Sequence, residues 1–165
     1  MRIIGIDPGY ERLGVAILER QQNKSVLLFS SCLKTDKGLP LSERIFELSG
    51  NIQELIKKWS PERLAIEKLF FTKNQKTVMG VSETKGAITY IAKSAGLTIH
   101  EYTPLQIKIA ITGYGKATKN QIIYMLSNLL KIDKRGSSRH DDEFDAIAVA
   151  LTCFASERTT GYPQK

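Results

Sequence analysis

The chain opens with Met1-Arg2-Ile3-Ile4-Gly5-Ile6-Asp7-Pro8-Gly9-Tyr10, and this stretch decides its fold. The apolar run rich in Ile predicts a buried strand, and Pro and Gly directly after Asp7 predict a turn. The Asp7 carboxylate therefore lies where the strand ends. An unpaired charge loses hydration in such a place, so Asp7 is either a turn-forming residue or a metal ligand.

Two further strands are expected directly after this turn. Leu13–Leu18 and Val26–Leu33 are apolar runs, and the polar residues Gln21–Lys24 form a turn between them. Three strands with short connections predict an antiparallel meander.

The rest of the chain alternates helical and strand patterns. Helical spacing is found over 41–59, 77–95, 104–111, 118–130 and 141–154, and strand patterns over 64–67 and 97–102. This order predicts an α/β fold, a mixed sheet of three antiparallel strands and then parallel strands, with helices on both faces. We expect one domain over residues 1–156 and a polar C-terminal tail over 157–165.

Composition limits the classes of function. The chain has 24 Lys and Arg against 17 Asp and Glu, a net charge of +7, which is typical of proteins with a polyanionic partner such as nucleic acid. Cys32 and Cys153 have no metal-binding spacing and predict no disulfide framework. No window approaches the length of a membrane span, and the N-terminus lacks a secretory pattern. We therefore expect a soluble cytoplasmic protein.

Acidic residues recur at the ends of predicted elements. Glu67 ends a strand as Asp7 does, and the last helix begins His140-Asp141-Asp142-Glu143-Phe144-Asp145. Acids in a first helical turn are favoured by the helix dipole, which is the structural alternative. Asp142 and Asp145, however, are three residues apart and lie on one side of the helix. His140 is a candidate extra base or ligand, although an exposed loop histidine is more often neither.

Four carboxylates without His or Cys partners are typical of Mg²⁺ or Mn²⁺ sites. A pair of such ions about 4 Å apart can activate water and stabilise the leaving oxygen in phosphodiester hydrolysis. The clustered acids repel each other, so at least one carboxylate should have a raised pKa.

Basic and aromatic side chains lie in loops and at helix starts between these acids. Phosphate contacts usually come from such places, although isolated lysines are usually solvated. Phe70 and Phe71 stand in a Lys-rich loop, where one ring can anchor the core and the other can stack on bases. The candidate DNA-binding residues are Phe70, Lys73, Lys76, Lys108, Lys116 and Lys119, with Lys68 and Phe71 as auxiliary candidates.

These segments together resemble the RuvC family of Holliday-junction resolvases, which has a ribonuclease H-like fold. The likeness extends from Arg2 to about Phe154. The segments that carry it are Gly5-Ile6-Asp7-Pro8-Gly9 with Gly14, Ala65-Ile66-Glu67 followed by Phe70 and Lys73-Asn74, and Asp142-x-x-Asp145-Ala146-x-Ala148-x-Ala150.

The resemblance implies a crossover junction endodeoxyribonuclease acting in DNA recombination and repair. Two Mg²⁺ ions, replaceable by Mn²⁺, would be held by Asp7, Glu67, Asp142 and Asp145. Phe70 would act at the junction centre, with Lys108 and Lys119 near the scissile phosphate. Asp141 is an extra acid beside Asp142, and spacing alone does not decide which of the two binds metal.

The same resemblance implies a homodimer that makes paired symmetric nicks in a four-way junction. Association with the branch-migration proteins RuvA and RuvB and a preference for T-containing sequences are implied in the same way. The helix over 77–95 is a candidate interface, because its glycines permit close approach, although core packing explains them as well.

Three other readings compete with this one. An actin-like ATPase or sugar kinase would need a second glycine-rich phosphate loop, which is not evident in 165 residues. A YqgF-like RNA-processing nuclease would share the fold and the metal chemistry. A non-catalytic, structure-specific DNA-binding protein explains the positive charge but not the four acids, because carboxylates oppose phosphate unless a metal intervenes.

Overall fold

A computed structural model of the chain describes residues 1–22, 24–69, 75–132 and 140–160. Its centre is a five-stranded sheet in the order β3-β2-β1-β4-β5. The strands are β1 (Arg2–Asp7), β2 (Arg12–Gln21), β3 (Lys24–Lys34), β4 (Arg63–Glu67) and β5 (Thr98–Tyr102). β1, β2 and β3 pair antiparallel, whereas β4 pairs parallel with both β1 and β5. The predicted mixed sheet is confirmed.

Helices cover the sheet and follow the predicted order. They are α1 (Leu41–Trp59), α2 (Gln75–Ser94), α3 (Pro104–Thr112), α4 (Lys119–Leu129) and α5 (Asp141–Thr160). None of the helices within the described ranges is long and apolar enough to cross a membrane. The main difference from expectation is that α5 continues to Thr160, so the segment expected as a polar tail begins within this helix.

The sheet has two different cores, because successive strand residues point to opposite faces. On one face, bulky residues such as Ile4, Ile6 and Val15 pack against α1 and α2. On the other, Ala16 and Ala65 pack against small residues of α5 and against α3 and α4. Helices on both faces were expected, and α5 takes the face with small side chains.

Small residues let α5 lie unusually close to the sheet. A Cβ added at Gly5 would overlap the Ala146 carbonyl oxygen and would lie 2.6 Å from the Ala150 Cβ. The Ala146 and Ala150 side chains are themselves fully buried. Larger residues at this crossing would move the helix away from β1.

Local signals fix the ends of α3 and α4. The predicted capping box of Thr118 and Gln121 is present at the start of α4. An equivalent box of Thr103 and Gln106, which the sequence analysis did not identify, starts α3. Each box satisfies backbone donors at a helix N-terminus and so fixes where the first turn points.

Candidate active site

Asp7 and Glu67 lie at the carboxyl ends of two neighbouring parallel strands. The β1–β4 register pairs Ile6 with Ile66, and each acid is the next residue along its strand. Because side chains alternate, both acids are on the sheet face that carries Gly5 and α5. The sheet therefore brings together two carboxylates that are 60 positions apart in the sequence.

The first turn of α5 lies beside these strand ends. A Cβ added at Gly14 would overlap the Asp142 carbonyl oxygen and would come within 3.2 Å of the Asp7 Cβ. Gly14 pairs with Asp7 across β1 and β2. Only a residue without a side chain allows this approach, so Gly14 fixes Asp142 next to Asp7.

The acids influence each other electrostatically. Burial and repulsion by Asp145, Glu67 and Asp142 raise the pKa of Asp7 to about 7, from an ordinary value of 3.8. Burial and Asp145 also raise the pKa of Glu67. We expected at least one carboxylate to have a raised pKa, and both Asp7 and Glu67 do. Each is buried and lies near other negatively charged carboxylates.

Asp142 faces a cation that the sequence analysis did not identify. Arg12 donates two hydrogen bonds to Asp142 Oδ2, from Nε over 2.9 Å and from Nη2, and Cys32 Sγ lies 3.5 Å from the same oxygen. Burial opposes ionisation of Asp142, but the hydrogen bonds from Arg12 and Cys32 outweigh it and hold its pKa below the usual value. Asp142 is therefore ionised across the neutral range.

Lys119 forms the corresponding contact with Asp145. Its Nζ donates to Asp145 Oδ2 over 2.8 Å and lies 3.4 Å from Asp141 Oδ2. Burial opposes its charge, but the two carboxylates raise the pKa of Lys119 overall. The capping box of α4 sets the position of Lys119 as the first residue of that helix. Among the predicted basic residues whose side chains the structure describes, Lys119 is the one that reaches the acids directly.

The donor set fits a hard divalent cation. Asp7, Glu67, Asp142 and Asp145 supply only carboxylate oxygens, and their mutual repulsion is relieved by added positive charge. Within the described ranges, no three His, Cys, Asp or Glu side chains are already grouped as ligands of one ion. Asp142 and Asp145 are directed instead to Arg12 and Lys119.

The two other polar residues at the start of α5 have different surroundings. Asp141 is exposed and contacts Lys119, and it is not among the acids that raise the pKa of Asp7. The His140 N–H donates to Glu143 Oε1 over 3.2 Å, and its carbonyl accepts from the Glu143 N–H. Glu143 is buried and also accepts from Ser30 Oγ over 2.8 Å. His140 and Glu143 thus cap the helix, which is the structural role that first-turn acids commonly have.

The remaining predicted residues lie at varying places around the site. Lys116 and Lys68 are exposed, and Lys108 is half-buried on α3. Phe70, Phe71 and Lys73 lie outside the described residues, as does the side chain of Lys76, whose backbone belongs to α2.

Strand periodicity could have placed Arg12 and Cys32, which the sequence analysis did not assign to the site, on the face of the acids. Gly14 pairs with Asp7 on β1 and with Cys32 on β3, and Arg12 is two positions before Gly14. Residues that pair directly, or that are two apart on one strand, share a sheet face. Arg12 and Cys32 therefore had to lie on the same face as the acids.

Comparison with known proteins agrees with this architecture. The family model described as "Crossover junction endodeoxyribonuclease RuvC" matches residues 3–153. Proteins of that name from Thermosipho melanesiensis and Caldanaerobacter subterraneus subsp. tengcongensis are 43% and 40% identical, covering 95% and 92% of this chain and 98% and 90% of theirs. The solved structure "T. thermophilus RuvC in complex with Holliday junction substrate" is similar, with a TM-score of 0.90 and 30% identity over 97% of this chain and 96% of that one. By fold and by similarity over nearly its whole length, the chain belongs to the RuvC family of crossover junction endodeoxyribonucleases.

Proposed function

We propose that this chain is a metal-dependent endonuclease that resolves four-way DNA junctions by paired symmetric nicks. The observation that carries the proposal is the convergence of Asp7, Glu67, Asp142 and Asp145 at one end of the sheet. Relatives at about 40% identity bear the name of this activity, and a 30% identical relative has been solved with a Holliday junction. Recombination and repair are the processes that present such junctions.

The four acids would hold Mg²⁺, two ions per site, with Mn²⁺ as a substitute. When bound, the metal supplies an activated water and charge stabilisation for the leaving oxygen. The protein residues have separate tasks. Asp7 must lose the proton that its burial favours, and Lys119 helps, because its positive charge lowers the pKa of both Asp7 and Glu67. Asp142, rather than the exposed Asp141, is the proposed ligand because its charge acts on Asp7.

The DNA would cross the basic side chains around the acids. Lys119 is placed to exchange Asp145 for a phosphate, since it is 45% exposed in its present position. Lys108, Lys116 and Lys68 would extend the contact along the backbone. Phe70 is proposed to act at the junction centre, with Lys73, Lys76 and Phe71 beside it, and His140 is proposed only as a helix cap.

A homodimer is part of the proposal, because paired nicks need two sites and the folded junction approximates two-fold symmetry. The support is an exposed stripe on α2. Met79 and Tyr90 are 64% and 73% exposed, and Gly86 between them has open space where a Cβ would be. A glycine inside a helix costs about 1 kcal/mol relative to alanine, and the close approach of a second α2 would explain its presence. RuvA and RuvB are proposed partners, and a cytoplasmic location is proposed because the proposed substrate is DNA.

Cleavage of matched substrates tests this function. A synthetic mobile four-way junction, a linear duplex and an RNA–DNA hybrid of the same sequence are each incubated with the protein and Mg²⁺ or EDTA. We expect paired symmetric nicks in the junction alone, abolished by EDTA. Metal-dependent cutting of the hybrid alone would move the function to RNA, and tight junction binding without cleavage under any divalent metal would leave a DNA-binding protein.

A further inference from the structure

A concave site on α3 and α4 lies outside the cluster of acids. It has a volume of about 360 Å³ and a mostly apolar lining. Tyr114, from the α3–α4 loop, and Tyr124, from α4, are each 57% exposed at this site. We call it the tyrosine pocket, and its lining residues are Thr112, Tyr114, Ala117, Asn120, Gln121, Tyr124 and Met125.

The loop that carries Tyr114 is held in one conformation. The Tyr114 N–H donates to Thr112 Oγ1 over 3.1 Å, and the Ala117 N–H donates to the Tyr114 carbonyl over 3.1 Å. Gly115 packs against α3 so closely that a Cβ there would be 2.7 Å from Leu105 Cδ1. A loop whose backbone is ordered before binding loses less conformational entropy when a ligand stacks on its aromatic side chain.

The segment that forms the tyrosine pocket carries charges of one sign, and the two acids of α5 that approach it, Asp141 and Asp145, contact Lys119. From Tyr102 to Ile132 the chain has no Asp or Glu, and its four charged residues are Lys108, Lys116, Lys119 and Lys131. A protein segment with basic groups would be repelled here, and a polyanion would be attracted. Asn120, one of the lining residues, directly follows Lys119, the lysine that contacts Asp145.

We propose that the tyrosine pocket stacks an unpaired nucleobase of a DNA strand whose backbone follows Lys116 and Lys119. Exposed aromatic rings beside a cationic track are the usual means of holding single-stranded nucleic acid. The amides of Asn120 and Gln121 lie at the pocket and can hydrogen-bond to a base edge. Gln121 Oε1 already accepts from the Thr118 N–H over 2.8 Å, so the amide nitrogen is the group that would donate to a base edge. This inference rests on the proposed function, because it requires DNA strands that are unpaired near the acids.

Binding of bases can be separated from binding of charge with two probes. A fluorescein-labelled oligothymidylate of about 12 nucleotides and an abasic oligomer of equal length are titrated with the full chain in EDTA, with fluorescence anisotropy as the readout. We expect the wild type to prefer the oligothymidylate. Tyr124→Leu should weaken oligothymidylate binding about tenfold and leave abasic binding unchanged, whereas Tyr124→Phe should retain the preference because its ring still stacks.

Phe46→Leu is the matched control, since Phe46 is a 77% exposed aromatic residue of α1 on the opposite side of the sheet. It should bind both probes like the wild type. The inference would be overturned if the wild type bound the two probes with equal affinity, or if Tyr124→Leu lost the same affinity for both. The surface would then bind acidic partners by charge alone. A different result separates the two proposals. If the protein failed to cleave junctions but still preferred the oligothymidylate in a Tyr124-dependent way, the proposed function would be refuted and the base-stacking role of the pocket would stand.

Discussion

Lys119 Nζ lies 2.8 Å from Asp145 Oδ2, so the first residue of α4 is bonded to an acid in the second turn of α5. The contact joins two elements that the sequence separates by 26 positions. It also places a positive charge where it acts on both strand-end acids, because Lys119 lowers the pKa of Asp7 and of Glu67. The candidate site is therefore an alternation of acids and cations rather than a cluster of acids alone.

Lys119→Met should move the acidic limb of the pH–rate profile for junction cleavage to higher pH. Without this charge the pKa values of Asp7 and Glu67 rise, so a higher pH is needed to ionise both. The measurement is the single-turnover cleavage rate in Mg²⁺ between pH 5 and 9. Lys116→Met, a change of the same charge in the exposed loop, is the control and should weaken DNA binding without moving the limb. If the acidic limbs of the pH–rate profiles of Lys119→Met and the wild type coincided, Lys119 would act on the DNA and not on the ionisation of the acids.

Asp7→Asn should abolish cleavage and leave junction binding in EDTA nearly unchanged, because it removes a carboxylate without altering the basic surface. Its stability provides a second readout. The folded pKa of Asp7, about 7, is above the ordinary 3.8, so its contribution to stability is full below about pH 3.8 and is lost as pH rises towards 7. Asparagine does not ionise, so the Asp7→Asn variant does not lose this stability as the pH rises.

The melting temperature of Asp7→Asn relative to the wild type should therefore be higher at pH 8 than at pH 5, by about 5 °C in metal-free buffer. Scanning calorimetry at both pH values measures the difference. If junction binding fell together with cleavage and the melting temperature dropped at both pH values, Asp7 would be a structural residue of the turn.

Arg12→Gln should strengthen binding of Mn²⁺ in the absence of DNA. The guanidinium bonds the Asp142 oxygen that a metal would use, and its charge repels the ion. Exposed ion pairs contribute little because solvent screens them, so the gain should be about fivefold or less. Isothermal titration calorimetry gives the affinity, with Lys37→Gln as a control for the loss of a surface charge. Weaker binding by Arg12→Gln would mean that Arg12 orients Asp142 for the metal.

Gly14→Ala should destabilise the fold by about 3 kcal/mol and reduce cleavage, because the new methyl group would overlap the Asp142 carbonyl. Gly50→Ala is the matched control. Gly50 lies inside α1 with nothing within 4 Å of the added Cβ, so alanine should stabilise the helix by about 1 kcal/mol. Urea denaturation measures both changes, and similar stabilities of the two variants would contradict the close crossing of α5 over β2.

Tyr90→Arg should convert the proposed dimer into monomers, since it places two like charges at the centre of a symmetric α2 contact. Light scattering after gel filtration reports the mass in solution. The variant should make single nicks in a junction rather than paired ones. Glu54→Arg, an exposed position of α1 outside this stripe, tests whether added charge alone has this effect. A Tyr90→Arg dimer with paired cutting would place the interface elsewhere.

The order of elements and the strand-end acids could be predicted because they depend on local patterns. The Ile-rich run and the turn after Asp7 predict β1, and the Thr118–Gln121 box predicts the start of α4. Strand periodicity places Arg12 on the sheet face of the acids, but its contact with Asp142 could not be predicted, because the two residues are 130 positions apart and meet only in the folded chain. Cleavage and metal binding by the acids stay predictions until they are measured.

The close crossing of Gly5 and Gly14 under α5 also bears on how such an enzyme can be adapted or engineered. Backbone contact sets the distance between the helix and the strand ends, whereas the α1 and α2 face of the sheet is filled by large, interchangeable aliphatic side chains. Cores of that kind accept many combinations of residues of similar total volume. Thermal adaptation or protein engineering can therefore change the core between the sheet and α1 and α2, while the side of the sheet that carries α5 and the acids keeps its dimensions.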